Sequence, residues 1–354
     1  MSIEPNILIL IYFKNRHINV VTMLRCFMKQ YFFLLPTIVF GHSQINATEY
    51  EYTTSVQKES VDAEYQEHFY WEKDDKASTI KNLRKSQQHK KYLLRYLYAL
   101  KNSLPQNLCH RADQINTYHN CIWTLWLQGK DKAPGIVKTC WQSMEKYKNG
   151  RQLIILEEAD IEKFIHLPQH IWDKYHKKII PPALFADIVR YCLLYKYGGI
   201  WIDSTVWMTG IIPTKIADLD FFMFSIDKYS TRTNVHLTAN WFIVSKPNNP
   251  ILKDLILLNF EYWKHEDKMI DYFMNYIFFK ISIDNNLKSK EIFNQMPYYP
   301  EIIPFYSILR KRYNPMLLNE AKSLDWFPLH KLIHSLKRNY KGSLFEYLSE
   351  ANTQ

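Results

Sequence analysis

The hydrophobic pattern changes character along the chain. Ile122–Trp126, Gln152–Leu156 and Ile200–Ile202 are short apolar runs, the pattern of buried strands. Between them, Val137 to Tyr147 and Ala159 to His166 predict helices, and Gln128-Gly129 predicts a turn after the first strand. Residues 251–283 are also helical in character. Strand–helix–strand alternation predicts a mostly parallel sheet covered by helices. No internal repeat interrupts it.

The segment DIVRYCLLYKYGGIWIDSTVW, from Asp187 to Trp207, stands apart. Pro181-Pro182 suits the first turn of a helix, so the helix runs from about Ala183 to Tyr197. Leu184, Phe185, Ile188, Val189, Leu193 and Leu194 make it apolar nearly all round, which predicts burial. Gly198 supplies the left-handed residue that ends a helix. Ile200 to Ile202 continue as a strand, and Asp203 stands where that strand gives out. Asp187 and Arg190 are three residues apart and share a helix face. They read either as a structural ion pair or as ligand-holding groups, because a buried pair is costly unless every donor and acceptor is satisfied. The order of helix, glycines and strand is the reverse of a glycine-loop nucleotide site. What the segment offers is a carboxylate at the carboxyl end of a strand, the edge where ligands bind in open α/β sheets.

The rest of the chain is less regular. Residues 1–44 form a hydrophobic segment interrupted by Lys14, Arg16, Arg25 and Lys29, and neither apolar run reaches the ~18 uncharged residues of a spanning helix. The second run resembles a signal h-region without a clear cleavage site. Residues 45–105 combine a polar linker with a basic amphipathic helix. Lys81, Arg84, Lys85, Lys90, Lys91, Arg95 and Lys101 are interleaved there with Tyr92, Leu93, Tyr96 and Leu97. That helix either packs on the neighbouring domain or lies on an anionic membrane surface. The main domain is placed at 106–340, with a tail at 341–354.

Composition narrows the partners. A net charge of +10 favours anionic ones. Nucleic acid is not expected, since no zinc pattern, RNP stretch or helix-turn-helix accompanies the charge. Five cysteines without a C-x-x-C spacing read as reduced thiols rather than as a disulfide or zinc framework. The expected location is cytoplasmic, soluble or peripheral on the membrane, with anchoring by residues 1–44 as the alternative.

Ala186-Asp187-Ile-Val-Arg190, Tyr197-Gly198-Gly199 and Trp201-Ile202-Asp203 together resemble the signature of family 32 glycosyltransferases, in the branch of capsular polysaccharide synthesis proteins. Weaker matches are Ile122 to Gly129, Cys140 to Ser143, Ile155-Leu156 with the following acidic pair, Asn240 to Ile243, Asp271 to Phe273 and His330 to Leu332. The resemblance runs from about Ile122 to Lys337. It implies an α/β, GT-A-like, Rossmann-type nucleotide-binding fold with helical additions at both ends. It also implies retention of anomeric configuration during transfer of a sugar from a nucleotide-sugar donor, a UDP-sugar first, to a glycan or lipid-linked acceptor.

By the same resemblance Asp187 and Arg190 grip the donor sugar, and Asp203 touches the ribose and a Mn²⁺ or Mg²⁺ ion. Trp126, Gln128 and Gly129 flank the base, and Gly199 and Lys331 complete the donor site. Many relatives carry Asp-x-Asp, whereas this chain has Asp203-Ser204-Thr205. Metal ligation then falls to Asp203 with Thr205 and His330, a weaker set for a hard cation. The rival reading is a carbohydrate- or lipid-binding protein on a decayed transferase scaffold.

Overall fold

The computed structural model describes residues 76–105, 108, 120–226, 237–301, 305–324, 327–336 and 341–350. These residues all fall within one compact unit, Glu64–Gln354. The N-terminal hydrophobic segment and the polar linker up to residue 75 lie outside the described residues.

The centre is a five-stranded sheet in the order β2-β1-β3-β6-β5. Its strands are β1 (Cys121–Leu125), β2 (Gln152–Leu156), β3 (Gly199–Ile202), β5 (Phe221–Ser225) and β6 (Thr238–Ser245). β1 pairs in parallel with β2 and β3, while β6 runs antiparallel to both β3 and β5. Only β6 is therefore reversed, and the sheet is mixed but mostly parallel, as the alternation of elements predicts. A two-stranded ribbon, β4 (Val206–Met208) with β7 (Leu329–Lys331), stands beside it.

Side-chain alternation gives the sheet two buried faces. Trp123, Trp201, Met223 and Ile243 enter one apolar core, while Ile122, Ile200, Ile202, Phe222 and Phe242 enter the other. Helix α2 (Gly135–Tyr147) packs in the second core. The first holds α3 (Pro182–Tyr197), α4 (Pro250–His265) and α5 (Met274–Asn285). The helical character of residues 251–283 is thus divided between two helices. Phe185, Ile188 and Leu193 of α3 are fully buried, and each such side chain contributes about 1.5–3 kcal/mol.

Two glycines make the turn from α3 into β3. Gly198 has φ +69°, and its N–H closes the helix on the Leu194 carbonyl at 2.9 Å. Gly199 has φ +94°, and a Cβ there would stand 2.6 Å from the Cys121 carbonyl oxygen. The glycine pair thus lets β3 press against β1.

The basic segment is packed on the domain. It forms helix α1 (Lys76–Leu93) and a 3-10 stretch, Leu94–Lys101, in which Tyr96 and Ala99 are buried. Tyr92 and Tyr96 both donate to Glu266, while His89 pairs with Asp271 at 2.6 Å and Lys90 with Asp284 at 2.5 Å. The apolar side of this segment therefore faces the helices of the first core. The C-terminal stretch holds α6 (Leu344–Glu350), tied to α2 by a bond from Thr139 Oγ1 to the Leu348 carbonyl at 2.6 Å. Among the described residues no helix is long and apolar enough to cross a membrane.

Candidate active site

The chain leaves β1 for β2 on one side and later returns to pair β3 on the other. In such sheets the crevice for ligands opens at the carboxyl ends of the strands that flank this reversal. Trp126 follows β1 there, and Asp203 follows β3.

Asp203 is the hub of a four-charge cluster. Its Oδ1 accepts from Arg190 Nη2 at 2.8 Å and from Trp201 Nε1 at 2.9 Å. Its Oδ2 accepts from Lys331 Nζ at 2.5 Å. Arg190 also pairs with Asp187 Oδ1 at 3.2 Å, donates to the Asn240 carbonyl, and lies over the Trp201 ring at 4.8 Å. The predicted trio therefore converges, and Lys331 joins it from the far end of the sequence.

The two carboxylates sit in different electrostatic settings. Burial disfavours ionisation at both. At Asp187 burial wins, and its pKa is raised in spite of Arg190 and Asn275. At Asp203 Arg190 and Lys331 outweigh burial, so its pKa is lowered. Asp203 and Lys331 also keep more side-chain exposure, 22% and 15%, than Arg190 with 5%. The solvent-facing part of the cluster is therefore the Asp203–Lys331 pair.

A shell of buried and half-buried polar side chains holds the cluster. Asn275 donates to Asp187 Oδ2 at 2.8 Å, and Asn240 donates to Asp187 Oδ1 at 3.1 Å. Tyr276 in turn donates to Asn240 Oδ1 at 3.1 Å. Ser204 pins the residue after Asp203: its hydroxyl donates to the Leu125 carbonyl at 2.8 Å and accepts from Trp141 Nε1 at 3.1 Å. The sequence reading missed Asn275 and Ser204. A buried asparagine in the otherwise apolar start of α5 was the available signal for the first. Nothing local marks Ser204, because its partners come from β1 and α2.

Other expected residues fall differently. Trp126 is half-buried, edge-on to His334 at 5.6 Å, and its buried Nε1 has no partner among the described residues. Arg190 Nε is likewise buried without a partner among the described residues. Gly129, at φ +96°, forms the turn after β1, with the neighbouring Lys130 N–H on Glu157 at 3.0 Å; Gln128 in that turn is exposed. Gly199 does not belong to the cluster: it lies at the opposite end of β3 from Asp203, buried against β1. His330 does not belong either. Alternation on β7 sends Lys331 to Asp203 and His330 to the other face, where it bonds Thr209 at 2.8 Å and packs on Phe305 at 4.5 Å.

The residues present do not fit a divalent ion. Among the described residues no three His, Cys, Asp or Glu side chains stand together as a ligand set. Thr205 Oγ1 accepts from Lys331 at 2.9 Å, and both Asp203 oxygens already face cations. A magnesium ion at ~2.1 Å from Asp203 Oδ2 would stand less than about 5 Å from the ammonium. At an effective dielectric near 20 the repulsion would be of order 7 kcal/mol.

A family model described as "Capsular polysaccharide synthesis protein" matches residues 70–349. No curated protein matches the chain. Among solved structures, a protein titled "PaToxG Glycosyltransferase" is similar at 12% identity and a TM-score of 0.33, covering 59% of this chain and 84% of that one. A likeness at that level carries no argument.

Proposed function

The chain belongs to the capsular polysaccharide synthesis protein family, and from that premise we propose that it is a glycosyltransferase acting on a nucleotide-sugar donor. The observation that carries this reading is the convergence of Asp187, Arg190, Asp203 and Lys331 at the carboxyl ends of β1 and β3. The motif resemblance to family 32 glycosyltransferases supports a retaining transfer from a UDP-sugar to a glycan or lipid-linked acceptor.

In this reading the anomeric C–O bond breaks, and the sugar becomes oxocarbenium-like as the diphosphate departs. Asp187 and Arg190 fix the sugar through its hydroxyls, which lowers the entropic part of the barrier. Their own partners, Asn275, Asn240 and Trp201, hold those groups before the donor arrives. Asp203 binds the ribose hydroxyls, and Trp126 faces the base.

The test is release of free nucleotide from a panel of UDP- and GDP-sugars by the full-length protein. Wild type turns over one of them, and Asp187→Ala and Asp203→Ala, folded by circular dichroism, lose turnover. Undiminished turnover in both variants sinks the assignment. Thr205 in place of a second carboxylate favours a second reading, a binding protein on a transferase scaffold. Sugar-nucleotide binding without any turnover decides for it.

A further inference from the structure

We infer that the cation facing the donor's diphosphate is the Lys331 ammonium, so that nucleoside diphosphate binding and sugar transfer proceed without a divalent metal. This rests on the glycosyltransferase reading above and adds to it the chemistry of the leaving group.

Lys331 Nζ bridges Asp203 Oδ2 at 2.5 Å and Thr205 Oγ1 at 2.9 Å, the first and third residues after β3. An ammonium has three donors. Asp203 and Thr205 take two, which leaves one for a phosphate oxygen. Arg190 cannot play this part, because its two terminal nitrogens already serve Asp187, Asp203 and the Asn240 carbonyl from a buried position. The four charges sum to zero, so the cluster has no surplus carboxylate for an incoming ion.

The ammonium is placed by a strand, not by a loose loop. Lys331 pairs with Val206 in the β4–β7 ribbon, and the Leu332 N–H bonds the Thr205 carbonyl at 2.8 Å. His330, on the opposite face, fixes the register through Thr209. This prior placement is what electrostatic stabilisation of a leaving group requires, because no reorganisation is then needed as charge develops. A diphosphate leaving from the sugar gathers negative charge on its oxygens, and the third ammonium proton meets it there.

Titration calorimetry with UDP, GDP, UMP and GMP tests this on the full-length protein, in EDTA and again with Mn²⁺ or Mg²⁺. Wild type is expected to bind UDP or GDP in EDTA, with a Kd that changes less than about twofold on adding either ion. Lys331→Met is expected to weaken the diphosphate at least tenfold and to leave the corresponding monophosphate within about twofold. Lys331→Arg is expected to retain most of the diphosphate affinity. An equal loss for mono- and diphosphate in Lys331→Met assigns Lys331 a structural role and overturns the inference. Binding and turnover that appear only with the metal overturn it while the transferase reading stands. Failure of every nucleotide to bind, with no turnover in any condition, removes both.

Discussion

Arg190 Nη2 donates to Asp203 Oδ1 over 2.8 Å, joining the middle of α3 to the end of the strand that follows it. The same guanidinium holds Asp187 and the backbone of β6. One planar group thus sets the positions of two carboxylates, and it does so from a nearly buried site.

Removing that group exposes the cost of the arrangement. Arg190→Ala leaves buried Asp187 and half-buried Asp203 without their shared cation and is expected to cost about 3–5 kcal/mol in urea unfolding. Arg190→Lys keeps the charge but loses the planar fork, so it is expected to recover only part of that stability. A lysine variant as stable as wild type would show that the bridge has no structural weight.

Asp203→Asn keeps the shape of the side chain and removes its charge. Turnover of the nucleotide-sugar is expected to fall by about 100-fold or more, the scale seen when an electrostatic group is removed from a reaction centre. Nucleotide release at saturating donor, with a thermal melt as a folding control, measures it. A change of less than threefold would remove Asp203 from the chemistry.

The two carboxylates predict opposite pH effects on stability. Asp203 has a lowered pKa, so its contribution is present above the ordinary aspartate value of about 3.9 and is lost as pH falls through its folded value. Asp187 has a raised pKa, so its contribution is fully present below about 3.9 and is lost as pH rises through its folded value. Urea melts between pH 3 and 7 are therefore expected to show a shallower rise of stability with pH in Asp203→Asn and a steeper one in Asp187→Asn. The same slope in both variants and wild type would contradict these shifts.

Gly199→Ala tests a position outside the cluster. The φ of +94° and the 2.6 Å approach to the Cys121 carbonyl leave no room for a methyl group. Stability is expected to fall by about 1–3 kcal/mol or more from backbone strain. In the folded fraction UDP and GDP affinity is expected to stay within about twofold of wild type. A selective loss of nucleotide affinity at full stability would return Gly199 to the donor site.

The cysteines give a probe of folding. Cys121, Cys140 and Cys192 are buried, and burial pushes the Cys121 thiol up to about 11. With Cys26 and Cys109 replaced by serine, the native protein is expected to give no fast reaction with a thiol-specific disulfide reagent at pH 7.5. All three remaining thiols are expected to react on unfolding. A fast native thiol would place one of them at the surface.

Much of the fold is legible in the sequence alone. The strand ends at Leu156 and Ile202, the burial of α3 and the mostly parallel sheet follow from periodicity and from where prolines and glycines fall. The trio of Asp187, Arg190 and Asp203 was legible because helix spacing and one glycine turn bring it together locally. What stayed hidden depends on distant pairing. The same three-residue strand holds both Lys331 and His330, and only the β4 register decides which of them meets Asp203. Gly199 looked like part of the donor site because it stands in the motif, yet its conformation serves the contact with β1.

The ribbon that carries Lys331 is made late. A ribosome releases Asp187, Arg190 and Asp203 together, and the whole central sheet is complete by Ser245. Lys331 follows only after a further stretch of helices. A chain stopped between residues 301 and 328 would contain every strand of the central sheet together with α4 and α5, while lacking β7 and with it the Lys331 contact to Asp203. Such a truncation separates folding of the scaffold from assembly of its last positive charge.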